Sequence, residues 1–447
     1  MKTTIVNIGQ LVTLAGPARP RVGEELRELG IVENAGLLVE DGRIAAVGSS
    51  AELAAQAGPD AAVIDAEGRC VTPGFVDAHT HLVFAGNRAD EYEKRIAGAT
   101  YQEIAAAGGG ILRTVRLTRA ASEEELLAAA RRHRDWMLRG GTTTLEAKSG
   151  YGLDHETELK MLRVIARLNG EGPATVVPTL LAAHTVPPEF AESAGQREPG
   201  SSRVGAWAGD LPPKQSLDGA PTGEAGRAEY VRWVAEDLIP EVAAAGLARY
   251  CDVFCDDHAF TVEETRVVLE SAKRHGLGLR IHAEQFRPGT GAALAAELGA
   301  ATADHLETVT DETLIALREA GVQPVLLPGS VFALSRTQYP PARKMVDAGL
   351  AIVLATDFNP GSSPVASMPF MLSLACLQMR LTPAEALTAA TTNAAYSLGL
   401  GGEVGSLEAG KRADFLIHEF GDYRELAYFA AAPLRPRVFI GGREVSS

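Results

Sequence analysis

The chain has 447 residues, 46% of them hydrophobic and 22% charged, which fits a folded protein with a sizeable core. At this length it holds two ordinary domains or one large barrel with an appendage. Its 57 acidic residues outnumber 42 Lys and Arg for a net charge of -15, which argues against nucleic acid or an anionic membrane as a main partner but leaves small substrates open.

The first fourteen residues, MKTTIVNIGQLVTL, alternate like a strand and carry neither the apolar block nor the cleavage site of a signal peptide. No apolar run approaches the roughly 20 residues that span a bilayer. Cys70, Cys251, Cys255 and Cys376 form no CxxC pair, as expected in a reducing cytosol, so a cytoplasmic location is expected. In GLLVEDGRIAAVG, Asp41-Gly42 sits between two apolar runs and predicts a hairpin, because that dipeptide accepts the positive φ of a tight turn. Strand-like stretches return at the other end, in GEVGSLEAGKRADFLIHEF and RPRVFIGGREV. Residues 1–70 and 402–447 are therefore expected to build one small β-sandwich from both ends of the chain.

Between them, over 71–401, apolar β-branched runs alternate with segments of helical composition. The runs are GFVDAHTH, TTTLEAKSG, TVVPTLLAAH, YCDVFCDD, LRIHAEQ, ATADHLE, QPVLLPGS and AIVLATDF. SEEELLAAARRHRDWMLRGG and TVEETRVVLESAKRHGLG have helical periodicity and end in Gly, a common helix stop. Eight buried strands alternating with helices close most simply as a (β/α)8 TIM-like barrel. An open doubly wound sheet is the alternative, but no GxGxxG follows the first strand. Residues 191–229, rich in Gly, Pro, Ser and Ala, break the rhythm and are expected to form an irregular insertion. It is read first as a surface insertion, and second as a lid over the site that His184 precedes.

Barrel chemistry sits at the C-terminal strand ends, and His79, His81, His184, His282, His305 and Asp357 all end predicted strands. Residues two apart on a strand share a face, so His79 and His81 aim two imidazoles at one object. With His282 and Asp357 they make a normal ligand set for one divalent ion, Zn²⁺ or Fe²⁺, leaving a position for water. His305 is left over as a general acid/base or as a partner for a developing oxyanion. Taken singly, a strand-end His or an Asp before Asn-Pro-Gly is an ordinary residue; four strands with metal-compatible residues at one end are not. His133 and His275 in helical segments, His418 in the terminal sheet, and His155 and His258 in loops are read as solvated or structural. Lys148 could carry a carbamate bridging two metals, but one metal is the simpler reading.

PGFVDAHTHLVFAGNR, GGGI, TTTLEAKSGYGL, AAHTVP, DVFCDDHAFT, HAEQF, ADHLE and LATDFNPGSSP occur in that order, and the chain resembles the imidazolonepropionases of the amidohydrolase superfamily. The resemblance runs from the N-terminal hairpin to KRADFLI. HTH is common to many amidohydrolases, whereas AGNR, KSGYGL and TDFNPGS discriminate. It implies a homodimeric hydrolase of histidine breakdown that opens 4-imidazolone-5-propanoate to N-formimidoyl-L-glutamate. It implies that His79, His81, His282 and Asp357 bind the metal and that His305 is catalytic. By the same resemblance Arg88, Tyr151, His184 and Gln285 contact substrate, and Asn359, Gly361 and Ser362 hold its polar groups, with Tyr101 a further carboxylate contact.

Arg88 offers a planar fork suited to the propionate tail. Gln285 stands where many relatives place Glu, and an amide orients water or a ring nitrogen without taking a proton. Glu284 is expected to face outward or to stand behind the site. In the expected mechanism a metal-activated water attacks the ring carbonyl, His305 helps stabilise the oxyanion, and Asp357 or His305 relays the proton to the ring nitrogen. The nearest rival is a nucleobase-type deaminase, which would use the same metal residues but has no need of Arg88. A metal-free interaction module is a third reading, and it predicts erosion of the ligand set, which is intact here.

Overall fold

Asp41 and Gly42 both take positive φ, 48° and 81°, and turn the chain between paired Glu40 and Arg43. That hairpin belongs to a computed structural model describing residues 2–58, 61–99, 103–104, 107–190, 224–256 and 259–445. Its strands are, in chain order, β1 (Lys2–Val12), β2 (Ile31–Glu40), β3 (Arg43–Ser49), β4 (Ala62–Asp65) and β5 (Cys70–Pro73). Next come β6 (Phe75–Asp77), β7 (Thr142–Lys148), β8 (Thr175–Ala183), β9 (Tyr250–Cys255) and β10 (Gly278–Ala283). The last are β11 (Thr302–His305), β12 (Gln323–Leu326), β13 (Val353–Leu354), β14 (Phe415–Ile417), β15 (Arg437–Ile440) and β16 (Arg443–Val445).

Strands from both ends of the chain form one mixed sheet in the order β16-β15-β14-β5-β1-β2-β3, with β4 parallel to β1. The two ends meet where β5 and β14 run antiparallel, Phe415 opposite Pro73 and Ile417 opposite Val71. This sheet has its own core of Ile5, Ile8, Leu37, Val71, Phe415 and Phe439. There the Phe415 and Phe439 rings stack with centroids 4.5 Å apart.

The eight expected barrel runs become β6 to β13, all parallel and each beside the next. Helices between them begin at side-chain caps. Ser122 and Thr261 each accept from the N–H three residues on, while Glu125 and Glu264 reach back to the cap, starting Glu123–Arg139 and Val262–Arg274. Closure does not come from a long ladder between β6 and β13. It is made just beyond their regular ends, where Asp357 N–H donates to His79 O at 3.0 Å and His81 N–H donates to Phe358 O at 2.9 Å. Below that seam the buried Asp77 carboxylate accepts from Thr356 N–H at 3.0 Å and from its hydroxyl at 2.6 Å.

Some expectations shift. His155 opens the helix His155–Glu171 instead of lying in a loop. Glu224–Glu229, the tail of the expected insertion, are helical within Glu224–Trp233; residues 191–223 and His258 lie outside the described residues. His133 is buried and structural rather than solvated, its Nδ1 2.8 Å from Leu82 O and its ring stacked on Phe84. His275 pairs with Ser271 O at the end of its helix. His418 is buried in the terminal sheet, with Nε2 2.9 Å from Thr72 Oγ1.

Burial holds the His418 ring down at about 3, against an ordinary 6.5. A depressed folded value means the neutral ring's contribution is whole above about pH 6.5 and is lost as the pH falls toward 3. Each unit within that window costs up to about 1.4 kcal/mol. Urea unfolding between pH 7 and about 4.5 is therefore expected to show a shallower acid loss in His418→Gln than in the parent chain.

Candidate active site

The closing seam brings His79 and His81 side by side, with ring centroids 5.3 Å apart. Asp357, in a left-handed conformation with φ 53°, sets its Oδ1 3.6 Å from His79 Nε2 and 3.4 Å from His81 Nε2. Ligand atoms about 2.1 Å from one tetrahedral ion lie about 3.4 Å from each other. The end of β10 adds His282, its ring centroid 4.6 Å from that of His79 and 5.6 Å from that of His81. His79, His81 and Asp357 form one group with metal-ligand spacing, and His79, His282 and His305 form a second that shares His79.

Tests of fit come from the nitrogens. His79 Nδ1 pairs with Asp304 Oδ2 at 2.6 Å, and His282 Nδ1 with Asp252 Oδ1 at 3.1 Å. Their Nε2 atoms are buried with no hydrogen-bond partner. A buried polar atom without a partner is costly, and unpartnered imidazole nitrogens beside a carboxylate fit a divalent cation. Burial keeps His79 well below its ordinary pKa and lowers His81 as well, so both are neutral, as ligation requires. Burial would raise Asp357, but its bond with His81 and the neighbouring His305 outweigh it, and the carboxylate stays ionised.

His305 stands across the site, its centroid 5.4 Å from His282 and 5.9 Å from His79. It and Leu306 are left-handed, with φ 79° and 67°, a backbone cost that a packed surrounding must hold in place. Burial alone would lower His305, yet Glu307, with Oε1 3.4 Å from Nδ1, together with Asp357 and Asp304 outweighs it and raises the ring's pKa.

On the other flank, the loop after β7 is folded around one buried carboxylate. Glu158 accepts from the N–H groups of Gly150, Gly152 and Leu153. This sets Tyr151 with its ring 6.1 Å from His81 and 5.4 Å from His184. The His184 ring stacks on His81 at 5.2 Å, and its Nδ1 pairs with Gly150 O at 3.0 Å. Burial, then His81 and His282, keep His184 neutral.

The turn after Asp357 is shaped by Asn359. Its Oδ1 accepts from Gly361 and Ser362 N–H at 2.8 and 2.7 Å, and its Nδ2 donates to Asp357 O and Ser362 Oγ. Asn359 thus organises the turn, while Ser362 Oγ reaches Asp357 Oδ2 at 3.4 Å. Arg88 donates from Nε to Thr114 Oγ1 at 2.9 Å and lies against Gly361. A Cβ on Gly361 would stand 2.3 Å from Arg88 NH1, so any side chain there would make the guanidinium shift from its present place. Gln285 is buried three residues past His282.

The comparisons with known proteins agree with this geometry. A model described as "Amidohydrolase family" matches residues 62–437, and an "Imidazolonepropionase-like composite domain, bacteria" matches 35–57. An imidazolonepropionase of Solibacter usitatus is 52% identical over 441 residues, 99% of this chain and 98% of the relative. One of Geobacillus thermodenitrificans is 47% identical over 98% of this chain and 96% of its own. The chain belongs to the imidazolonepropionase family. Solved structures share the fold: a 5-methylcytosine deaminase from Klebsiella pneumoniae superposes with TM-score 0.68 at 17% identity, covering 99% of this chain and 98% of its own. An adenosine deaminase from Xanthomonas campestris with bound zinc gives 0.66 at 18%, covering 99% and 92%. The amidohydrolase architecture is therefore shared, and the chain is a hydrolase of the cyclic-amide class, as its family is.

Within the family frame, several site residues were not visible in the sequence patterns. Glu307 behind His305, Glu158 under the Tyr151 loop, and Asp252 and Asp304 behind the histidines all lie buried. One signal was available: Asp252 in YCDVFC and Asp304 in TADH are charges inside core strands. Lys148, considered for a carbamate, donates to Asp252 Oδ2 at 2.7 Å and forms an ion pair with Glu146 Oε2 at 2.8 Å, as an ammonium does. Glu284 does not face outward; it is buried, its carboxylate accepts from Ala292 N–H at 3.1 Å, and burial pushes it up to about 7. Tyr101 lies outside the described residues.

Zinc added to the metal-free chain is expected to saturate at one equivalent, read by chelator competition, and to raise the melting temperature. At a thousandfold excess over Kd the gain is about 4 kcal/mol. Asp357→Ala, which removes the one carboxylate from the His79, His81 and Asp357 group, is expected to lose both effects.

Proposed function

We propose that the chain hydrolyses the ring amide of 4-imidazolone-5-propanoate to N-formimidoyl-L-glutamate in histidine breakdown, with one zinc or iron ion held by His79, His81, His282 and Asp357. The observation that carries this reading is the placement of a guanidinium, Arg88, against the turn that follows a metal-site carboxylate, with Gly361 making room for it. A ring substrate with an aliphatic acid tail has the matching shape: the tail on Arg88, the ring carbonyl at the histidines.

A zinc or iron ion held by His79, His81, His282 and Asp357 would supply Lewis-acid polarisation of the carbonyl and would make water a better nucleophile near neutral pH. Asp357, ionised beside that position, takes the proton from the attacking water. His305, its pKa raised chiefly by Glu307, donates to the oxyanion that develops on the ring carbonyl. As the C–N bond breaks, the proton on Asp357 passes to the departing ring nitrogen, and the carbonyl carbon becomes a carboxylic acid that gives its remaining water proton to solvent and ends as a carboxylate. Gln285 orients the ring without exchanging a proton, and Tyr151 with His184 walls the tail side. Asn359 holds the turn, with Gly361 and Ser362, in the shape that receives the substrate's polar groups.

Full-length identity to imidazolonepropionases favours this reading over a nucleobase deaminase, which has no anionic tail for Arg88 to hold. The four free cysteines and the net charge of -15 support a cytoplasmic protein without a nucleic-acid partner. No helix among the described residues is long and apolar enough to cross a membrane. A homodimer is supported by exposed Leu377 and Tyr428 on the neighbouring helices Met368–Met379 and Glu425–Tyr428.

With metal content held equal, His305→Asn is expected to lower kcat by about 10²–10³-fold; near-normal turnover removes His305 from the mechanism. Gly361→Ala is expected to push the Arg88 guanidinium aside and raise KM for imidazolone propanoate about tenfold or more, with the melting temperature little changed. Ammonia release from nucleobases with no loss of imidazolone propanoate would replace this reading with the deaminase.

A further inference from the structure

Directly behind the metal-site histidines lies a layer of charge with no access to water. Glu146, Lys148, Asp252, Arg280 and Asp304 are all fully buried. Lys148, Asp252 and Asp304 come from β7, β9 and β11, alternate strands of the barrel, and side chains from alternate strands share one interior layer. Lys148 Nζ lies 2.7 Å from Asp252 Oδ2, 2.8 Å from Glu146 Oε2 and 3.7 Å from Asp304 Oδ2. Arg280 is placed differently: its Nε stands 3.2 Å from Glu146 and its NH1 donates to Ala78 O.

Each aspartate of that layer touches one histidine of the layer above. Asp252 meets His282 Nδ1 at 3.1 Å, and Asp304 meets His79 Nδ1 at 2.6 Å. A carboxylate in that place orients the ring and fixes the hydrogen on Nδ1, which turns the Nε2 lone pair inward. Two buried carboxylates this close repel each other and carry a desolvation penalty, and a cation held between them offsets both costs. Asp252, His282 and Asp304 also form a group with metal-ligand spacing, and the Lys148 ammonium lies against both of its carboxylates.

We propose that Lys148 is a resident interior cation that aims two of the proposed metal-binding histidines, by holding Asp252 and Asp304 as acceptors for the Nδ1–H groups of His282 and His79. It is a positioning residue and touches no substrate. The same ammonium takes the place a second metal ion would need, so the barrel holds one. The inference rests on the metal reading above, and its test separates the two.

In the metal-free chain, histidine ¹⁵N spectra are expected to show His79 and His282 as the Nδ1–H tautomer, and Lys148→Met is expected to mix the tautomers of both. Zinc affinity, measured by chelator competition, is expected to fall about 10–100-fold in Lys148→Met. Thr179→Val, which removes a hydroxyl donor to Glu146 in the same layer, is expected to leave affinity and tautomers unchanged. If Lys148→Met does not fold, Asp252→Asn and Asp304→Asn decide, since each keeps the acceptor oxygen and removes the charge; each is expected to weaken zinc to the same degree. A folded Lys148→Met, or failing that both asparagine variants, with parental tautomers and a zinc Kd within about twofold of the parent overturns the inference. A parent chain that binds no zinc overturns the metal reading instead, and the tautomer spectra still decide the role of Lys148.

Discussion

Two backbone hydrogen bonds, Asp357 N–H to His79 O and His81 N–H to Phe358 O, hold the barrel shut. They tie the extension of the first barrel strand to that of the eighth, so the act of closing the sheet is also the act of assembling the site. The regular part of β13 is only Val353–Leu354, and the closing bonds fall to His79, His81, Asp357 and Phe358, three of which belong to the candidate site. Asp357 adopts its left-handed conformation at this seam, with Asn359 bracing the turn beyond it. Fold and function therefore share the same few bonds.

Closing the barrel also sets the electrostatics. Interior strands place Glu146, Lys148, Asp252, Arg280 and Asp304 where no water reaches. In such a medium an unpaired charge is costly, so the layer is stable only as a set. Of the site histidines, His79 and His81 have their pKa lowered by the same burial. His305 departs from that trend because Glu307 stands beside it, with Asp357 and Asp304 adding to the effect. One site thus contains imidazoles whose pKa is lowered, at His79 and His81, and one whose pKa is raised, at His305.

Much of the barrel was legible in the sequence. Each of the eight apolar runs became a barrel strand in the expected order, because buried parallel strands read as continuous apolar stretches. Asp41-Gly42 made its turn for a local reason, the φ those residues tolerate. The histidines and Asp357 stood at strand ends, a position that periodicity reveals. His133 and Glu284 were less legible: a helix or strand pattern does not say which charged side chain a neighbouring element will cover. The loop of Tyr151 needed Glu158, which follows it by seven residues in a helix whose pattern gave no hint of a capping role.

What the sequence determined alone was local: the alternation of strand and helix, the caps, the hairpin, and the kind of residue at each strand end. Only the tertiary structure decided which of those ends share a point, because Asp357 and His79 are 278 positions apart and meet through closure, not through any pattern along the chain. It alone decided that Lys148 is an ammonium among carboxylates and that Gly361 makes room for Arg88. Distances between strands follow from how a sheet curves on itself, and that curvature is a property of the packed whole.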